Sequence, residues 1–266
     1  MPSPTTRPWM LAESNLAEVR TAKFQVAVLP MGATEPHNLH LPYGTDSIEA
    51  TQLASACCQK ALELGGQVVQ LPTIPYGTET NMQSFPLALN LLPSTVSLVL
   101  RDLVHSVEAS GIYKLVIFNS HGGNDFKPFL REIYGKTEVQ IFLCNWYQMI
   151  RDAASNICEH PDDHAGEMET SLILSFRPDL VRKSKDGALA ADQGNQRPLR
   201  FAALREGWIS ITRPWHLLTT NSGSGNPHAA TAEKGRQLAS VIVDRVAPFL
   251  AELSQSELDA SFPFEN

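Results

Sequence analysis

Apolar and polar positions alternate along this 266-residue chain in blocks that predict strands and helices in turn. Residues 24–29 are almost wholly apolar and stop at Pro30, the pattern of a short strand buried on both faces. After a polar loop, residues 47–64 place Ile48, Leu53, Ala56 and Leu62 as a helix requires, and Gly65-Gly66 close the helix. A second strand is expected at 67–71, followed by a turn-rich loop reaching to about 91. Residues 93–110 form the strongest helical pattern. Pro93 suits the first turn, Val96, Leu100, Leu103, Val104 and Val107 make a wide stripe, and Gly111 ends it. A strand at 113–119, a helix from about 125 to 134 and a strand at 138–144 complete a βαβαβαβ order.

Elsewhere the pattern is weaker. A short helix near 15–22 has Ser14 or Asn15 as its cap. A helix is expected to open at Asp162 and run to about 176, and a long closing helix spans 231–253 with Leu238, Val241, Ile242, Val246 and Leu250 inward. Between them, 177–227 predict only a short strand at 208–212 and a flexible loop at 221–227, and a loose tail begins at about 254. No repeat or linker divides the chain, so one domain over residues 1–266 is expected. The connections between strands are long enough for right-handed crossovers, which gives an α/β fold: a mostly parallel sheet with helices on both faces. Ligands bind such sheets beyond the carboxyl ends of the strands, where residues 30–46 and 119–124 fall.

Composition narrows the function classes. With 21 Lys and Arg against 28 Asp and Glu, the formal charge is -7, which opposes binding to nucleic acid or to an anionic membrane. No apolar run approaches the ~20 residues of a membrane span, and the N-terminal residues lack a signal-peptide layout. Four cysteines without a C-x-x-C pair exclude a thiolate zinc site and suit a reducing compartment, so a cytoplasmic protein is expected.

The chemistry concentrates in few places. Glu35, His37, His40 and Asp46 share one loop leaving a strand, His121 lies at a second strand end, and His164 and Glu169 stand near a helix start. Imidazole nitrogens and carboxylate oxygens together suit zinc, manganese or iron. Glu35 and His37 could face one site or two adjacent metals, and Asp46 could bridge a pair about 3.5–4 Å apart. Each group has another reading. Asp46 and Glu49 also fit a helix-capping pair, His121-Gly122-Gly123 a tight turn, and His164 to Glu169 an acidic helix start. The 221–227 loop could be a phosphate-binding nest, a mobile loop or a subunit contact. No G-x-S-x-G elbow supports a serine hydrolase, and Cys144 and Cys158 read as buried thiols.

Three segments carry a family resemblance. Leu29-Pro30-Met31-Gly32-Ala33-Thr34-Glu35-Pro36-His37-Asn38-Leu39-His40-Leu41-Pro42-Tyr43-Gly44-Thr45-Asp46 resembles the L-P-x-G-x-x-E-x-H-G-x-H-L-P-x-x-T-D signature of the creatininase (creatinine amidohydrolase) family. Asn119-Ser120-His121-Gly122-Gly123-Asn124 is similar to its N-G-H-G-G-N segment, and His164-Ala165-Gly166-Glu167-Met168-Glu169-Thr170-Ser171 to its H-A-G-x-x-E-T-S segment. The resemblance implies a three-layer αβα fold, two divalent metal ions (Zn, Mn or Fe), a homo-oligomer such as a homohexamer, and hydrolysis of a non-peptide C–N bond in a small molecule, such as a cyclic amide, formamide or related amide. It implies Glu35, His37, Asp46 and His121 as metal ligands, with Asp46 bridging, and His164 as a proton-transfer residue. Creatininase places a metal-binding Glu two residues after the strand-end His. Gly123 stands there in this chain, so Glu169 is expected as replacement ligand or as a further acid–base group. His40 and Asn124 are expected to support the site, and Trp146 to form an aromatic wall. Asn38 replaces the usual Gly, and Phe85-Pro86-Leu87-Ala88 departs from the family's F-P-G-T. His160 stands where creatininase has a tryptophan over its substrate, so creatinine is not the expected substrate. The alternative function is a non-catalytic metabolite- or phosphate-binding protein on the same fold.

Overall fold

A computed structural model describes residues 7–265. The first helix, α1 (Leu16–Thr21), begins at Asn15. The Asn15 side chain accepts from the Ala17 and Glu18 N–H groups, and Glu18 accepts in return from the Asn15 N–H, a reciprocal cap. There follow β1 (Val26–Met31), α2 (Thr45–Glu63), β2 (Val68–Gln70), α3 (Pro93–Ala109), β3 (Lys114–Asn119), α4 (Lys127–Ile133) and β4 (Gln140–Asn145). All the pairings in this sheet are parallel, in the order β2-β1-β3-β4.

The alternation of side chains along each strand builds two cores. Val26, Val28, Val116 and Phe118 point one way and pack with Leu53 and Cys57 of α2 and with residues of the closing helix. Ala27, Leu29, Met31, Leu115 and Ile117 point the other way, onto Leu100 and Val104 of α3 and Phe129 of α4. Because both faces are covered, β1 and β3 are buried at every position, which is why their sequence reads as continuous apolar runs. The chain places β2 on one side of β1 and β3 on the other. The helix after β1 lies on one face and the helix after β3 on the opposite face. The carboxyl ends of β1 and β3 therefore feed loops that diverge, and a crevice opens between them.

The rest of the chain comprises α5 (Trp146–Met149), α6 (Arg151–Ile157), β5 (Asp162–His164), α7 (Glu167–Phe176), α8 (Ala202–Arg205), α9 (Trp215–Leu218), β6 (Ser224–Gly225) and α10 (Ala232–Gln255), of which α5, α6, β5, α7 and α9 border the crevice while α10 packs beside α2 on the sheet face. Several expectations are corrected here. The helix expected from Asp162 starts at Glu167, because 162–164 pair antiparallel with β6 and Ala165 adopts a left-handed φ of 53° that a helix cannot contain. No strand forms at 208–212, where Trp208, Ile209 and Ile211 face outward. The 221–227 segment is not loose, since Ser222 and Ser224 are buried and β6 lies within it. The tail expected from about 254 is held as well. The Lys114 ammonium donates to the Leu253 and Ser256 carbonyls, and the Phe262 ring packs edge-on against Phe142 at 6.3 Å. Among the described residues, no helix is long and apolar enough to cross a membrane.

The packing of α10 against α7 yields a test. A Cβ on Gly235 of α10 would sit 1.9 Å from the Ser171 carbonyl oxygen on α7. Gly235→Ala must push the helices apart, so its cost is expected at or above the ~1–3 kcal/mol typical of overpacking. Denaturant unfolding reads this as a lowered midpoint, and an unchanged midpoint would contradict the packing described.

Candidate metal centre

The loop after β1 is stitched in place from two sides. The Thr34 hydroxyl donates to the Pro75 carbonyl at 2.7 Å, the Gly32 N–H to Ile74 at 3.0 Å, and the Tyr43 hydroxyl to Pro86 at 2.7 Å, all within the loop that follows β2. On the other side, Ser222 accepts from the Asn38 N–H and donates to the Pro36 carbonyl, at 3.0 and 2.8 Å. Asn38 adopts a φ of 54°, a conformation that asparagine tolerates. The Asn221 side chain donates to Asp192 and the Ser224 hydroxyl accepts from Gln196, so residues 221–225 form a buckle over the loop.

This bracing drives carboxylates and imidazoles together. Asp46 lies in the first turn of α2, where the cap is Gly44 without a side-chain bond, so the capping role considered for Asp46 is not the one it takes. Its two oxygens face two different rings: Oδ1 is 2.8 Å from Nε2 of His37, and Oδ2 is 2.9 Å from Nδ1 of His121. Glu35 Oε1 is 3.1 Å from the same His121 nitrogen and 3.7 Å from Nδ1 of His164. Glu169 Oε2 lies 3.9 Å from His37 Nε2 and accepts from the Ala165 N–H across the turn that opens α7. Two three-residue donor groups thus share Asp46: Glu35, Asp46 and His121 on one side, and His37, Asp46 and Glu169 on the other. A third, overlapping group joins Glu35, His37 and His164.

The outer nitrogens are already engaged. His37 Nδ1 sits 3.0 Å from the Glu35 carbonyl and His164 Nε2 2.9 Å from the Pro36 carbonyl, so each donates there and turns its other nitrogen inward. His40 Nε2 is 2.8 Å from the Thr170 hydroxyl, tying the loop to the helix that carries Glu169. Asn124 accepts from the Thr78 N–H at 3.1 Å and donates to the Asn119 side chain at 3.1 Å, bracing the loop after β2 against the end of β3.

The electrostatics follow from burial. Burial alone would favour the neutral form of Asp46, yet the His37 and His121 imidazoles hold its carboxyl well below the usual carboxylate range. Burial opposes charge on His37 too, but Asp46 and Glu169 beside it push the ring up to about 10, and Glu35 chiefly raises His121 in the same manner. Burial raises Glu35, and lifts Glu169 to about 7. Burial and the neighbouring His37 depress His164 and hold His40 down to about 4, so both rings are neutral. Even so, His37 Nε2 and Asp46 Oδ2 form no well-directed hydrogen bond. Buried polar atoms that approach closely without bonding aim at a common point rather than at one another. Nitrogen and oxygen donors in two groups about a shared carboxylate fit divalent cations of the zinc and manganese type.

Above these groups lies a cavity of about 840 Å³, with Tyr147, Met82, Met168, Arg213 and Trp215 on its walls. Trp215 meets the His164 ring edge-on at 5.1 Å. Trp146 is not a wall. It is buried in the core, where its indole donates to Ser120 at 2.6 Å, so the aromatic surface expected of it comes from its neighbour Tyr147 and from Trp215. Trp215 sits in the stretch of weakest sequence pattern. Glu79, 1% exposed with Oε2 3.1 Å from His121 Nε2, also went unmarked in the sequence.

Comparison with known proteins points one way. The profile of the Creatininase family, described as creatinine amidohydrolase, matches residues 12–250. A mycofactocin precursor peptide peptidase of Mycobacterium ulcerans is 29% identical over 230 residues, covering 82% of this chain and 81% of that one. A Bacteroides fragilis crystal structure, provisionally named a creatinine amidohydrolase, superposes with a TM-score of 0.87 at 34% identity, over 95% of this chain and 99% of that one. Creatininase structures in manganese and Zn–Zn forms share the fold at TM-scores of 0.71 and 0.72, with 20% identity, over 93% of this chain and 99% and 98% of theirs.

The donor groups predict ligand-linked stability. Zinc or manganese added to chelator-treated protein at a hundred times its Kd is expected to stabilise the fold by about 2.7 kcal/mol per occupied site, read as a raised Tm. Asp46→Asn, which weakens both groups at once, is expected to lose most of that gain. A Tm indifferent to either metal would refute the assignment.

Proposed function

The chain belongs to the creatininase family, and on that premise we propose that it is a dinuclear metal-dependent amidohydrolase. The observation that carries this reading is Asp46, whose two oxygens lie 2.8 and 2.9 Å from imidazoles of two separate donor groups. In this reading Glu35, Asp46 and His121 hold one cation, and His37, Asp46 and Glu169 hold the other. A pair of divalent cations supplies Lewis acidity toward a carbonyl oxygen and a hydrolytic water that ionises near neutral pH.

The remaining residues handle substrate and proton. His164 is neutral and fixed through Nε2 on the Pro36 carbonyl, so Nδ1 offers a lone pair within 3.7 Å of Glu35. That nitrogen takes a proton and delivers it to the departing amide nitrogen. Trp215 against the same ring limits water on that side and offers a flat face to a planar amide. The cavity of about 840 Å³ is near the upper end of small-ligand sites and exceeds what a single small ring fills. Together with the peptidase relative, this volume extends the expected substrates from cyclic amides and formamides to short peptides.

A homo-oligomer completes the proposal. Phe201, Trp208, Ile209 and Ile211 are each more than half exposed within eleven residues of chain, a density of apolar side chains that suits a subunit contact.

Two experiments bear on this. Zinc- or manganese-loaded protein is expected to release amine from at least one member of a panel of lactams, formamides and short peptides. His164→Ala is expected to lower kcat on that substrate by about 10²–10⁴-fold while retaining bound metal. Undiminished turnover in that variant would remove His164 from the reaction, and a fully metallated protein inert across the panel would favour a binding protein. Light scattering is expected to give a mass above one chain that falls on Trp208→Glu. A monomeric wild type would exclude the subunit contact.

A further inference from the structure

Nothing in the resemblance or the comparisons assigns a role to Glu79. It sits in the loop after β2, 42 positions before His121 in the chain, and is 1% exposed. Its Oε2 approaches His121 Nε2 at 3.1 Å, a nitrogen that also lies 3.3 Å from the Thr78 carbonyl oxygen, and neither Glu79 oxygen makes a well-directed hydrogen bond. A carboxylate buried this deeply costs several kcal/mol unless something compensates it. His121 Nδ1, on the other side of the ring, faces Glu35 and Asp46 at 3.1 and 2.9 Å. The two ring nitrogens point in diverging directions, so Glu79 stands behind the imidazole and outside the donor group that the ring enters.

The seat of Glu79 is built rather than incidental. Its N–H donates to the Asn90 side chain at 2.7 Å, its carbonyl accepts from the Met82 N–H at 2.9 Å, and the preceding Thr78 N–H is held by Asn124 at 3.1 Å. The turn after β3 makes room for this loop. A Cβ at Gly123 would fall 2.3 Å from His121 Nε2 and 2.4 Å from the Thr78 carbonyl oxygen. No side chain fits at 123 while the 78–79 segment lies against the imidazole. The position two residues after His121 is thus closed, and the carboxylate on that side of the ring arrives from another loop.

We infer that Glu79 is a positioning residue: together with the Thr78 carbonyl it sets negative charge against His121 Nε2, which keeps the proton on that nitrogen and holds the ring in the tautomer whose Nδ1 lone pair faces Glu35 and Asp46. A carboxylate behind a metal-binding imidazole fixes the ring's orientation and raises the basicity of the coordinating nitrogen. The inference rests on the dinuclear reading of the site, and it distinguishes the two donor groups: Glu79 supports the one containing His121 and does not touch the one containing His37.

The test is metal titration of the chelator-treated full chain by calorimetry with zinc, in wild type and Glu79→Gln. Glutamine keeps the volume and one acceptor oxygen and removes the charge. The expected result is two sites in wild type and, in the variant, a 10–100-fold weakening at one site with the other unchanged. The Tm of the metal-free protein is expected not to fall, which separates positioning from a structural role. Two wild-type affinities in Glu79→Gln would overturn the inference and leave the dinuclear reading intact, whereas a wild type that binds no zinc overturns both. Should Glu79→Gln fail to fold, nitrogen-15 NMR of zinc-loaded wild type decides. His121 protonated at Nε2 and coordinated through Nδ1 supports the inference, and coordination through Nε2 or by Glu79 itself contradicts it.

Discussion

Four carboxylates and three imidazoles meet in this protein at side-chain exposures between 0% and 13%. Charges at such density inside a fold are costly unless positive charge lies among them. Without metal, protons on His37 and His121 supply it, which is why both rings titrate far above an ordinary imidazole. Protons fill this space incompletely, because His37 Nε2, Asp46 Oδ2 and both Glu79 oxygens form no well-directed hydrogen bond. Two divalent cations, in the function proposed, would take the place of those protons among the same donors, and the catalytic reading grows from that substitution.

The fold holds the cluster together against its own repulsion. Glu35 and His37 arrive from the end of β1, His121 from the end of β3, and Asp46 from the first turn of α2, all at the point where the sheet's connections diverge. The N-terminus of α2 adds a favourable partial charge beneath Asp46. Contacts from elsewhere in the chain then brace the site from behind: Thr170 of α7 against His40, the Pro36 carbonyl against His164, and Glu79 against the ligand His121. Rigid placement of this kind lets donors aim at a shared point rather than relax onto each other.

Much of this was legible in the sequence, for identifiable reasons. Strands buried on both faces produce apolar runs, so β1 and β3 stood out, and strand-end loops dense in Glu, His and Asp marked the site. The structure gathers Glu35, His37, Asp46, His121, His164 and Glu169 in one place. What escaped depends on contacts distant in sequence. Glu79 lies in a Thr- and Pro-rich loop with no motif, and only the fold brings it to His121. Trp146 and Trp215 look alike as residues, but one is buried behind Ser120 and the other faces His164. The helix expected at 162 gave way to a strand pairing with Ser224 and Gly225, far along the chain, a partner that local periodicity cannot reveal. The apolar stretch at 208–212 read as a strand because it has strand-like residues, yet they face outward.

The central claim is that Asp46 bridges two divalent cations. Anomalous diffraction at the absorption edge of zinc or manganese, on crystals of the metal-loaded protein, tests it most directly. The account predicts two peaks about 3.5–4 Å apart, one on each side of the Asp46 carboxylate, with Glu35 and His121 at the first and His37 and Glu169 at the second. A single peak, or peaks away from Asp46, would contradict it.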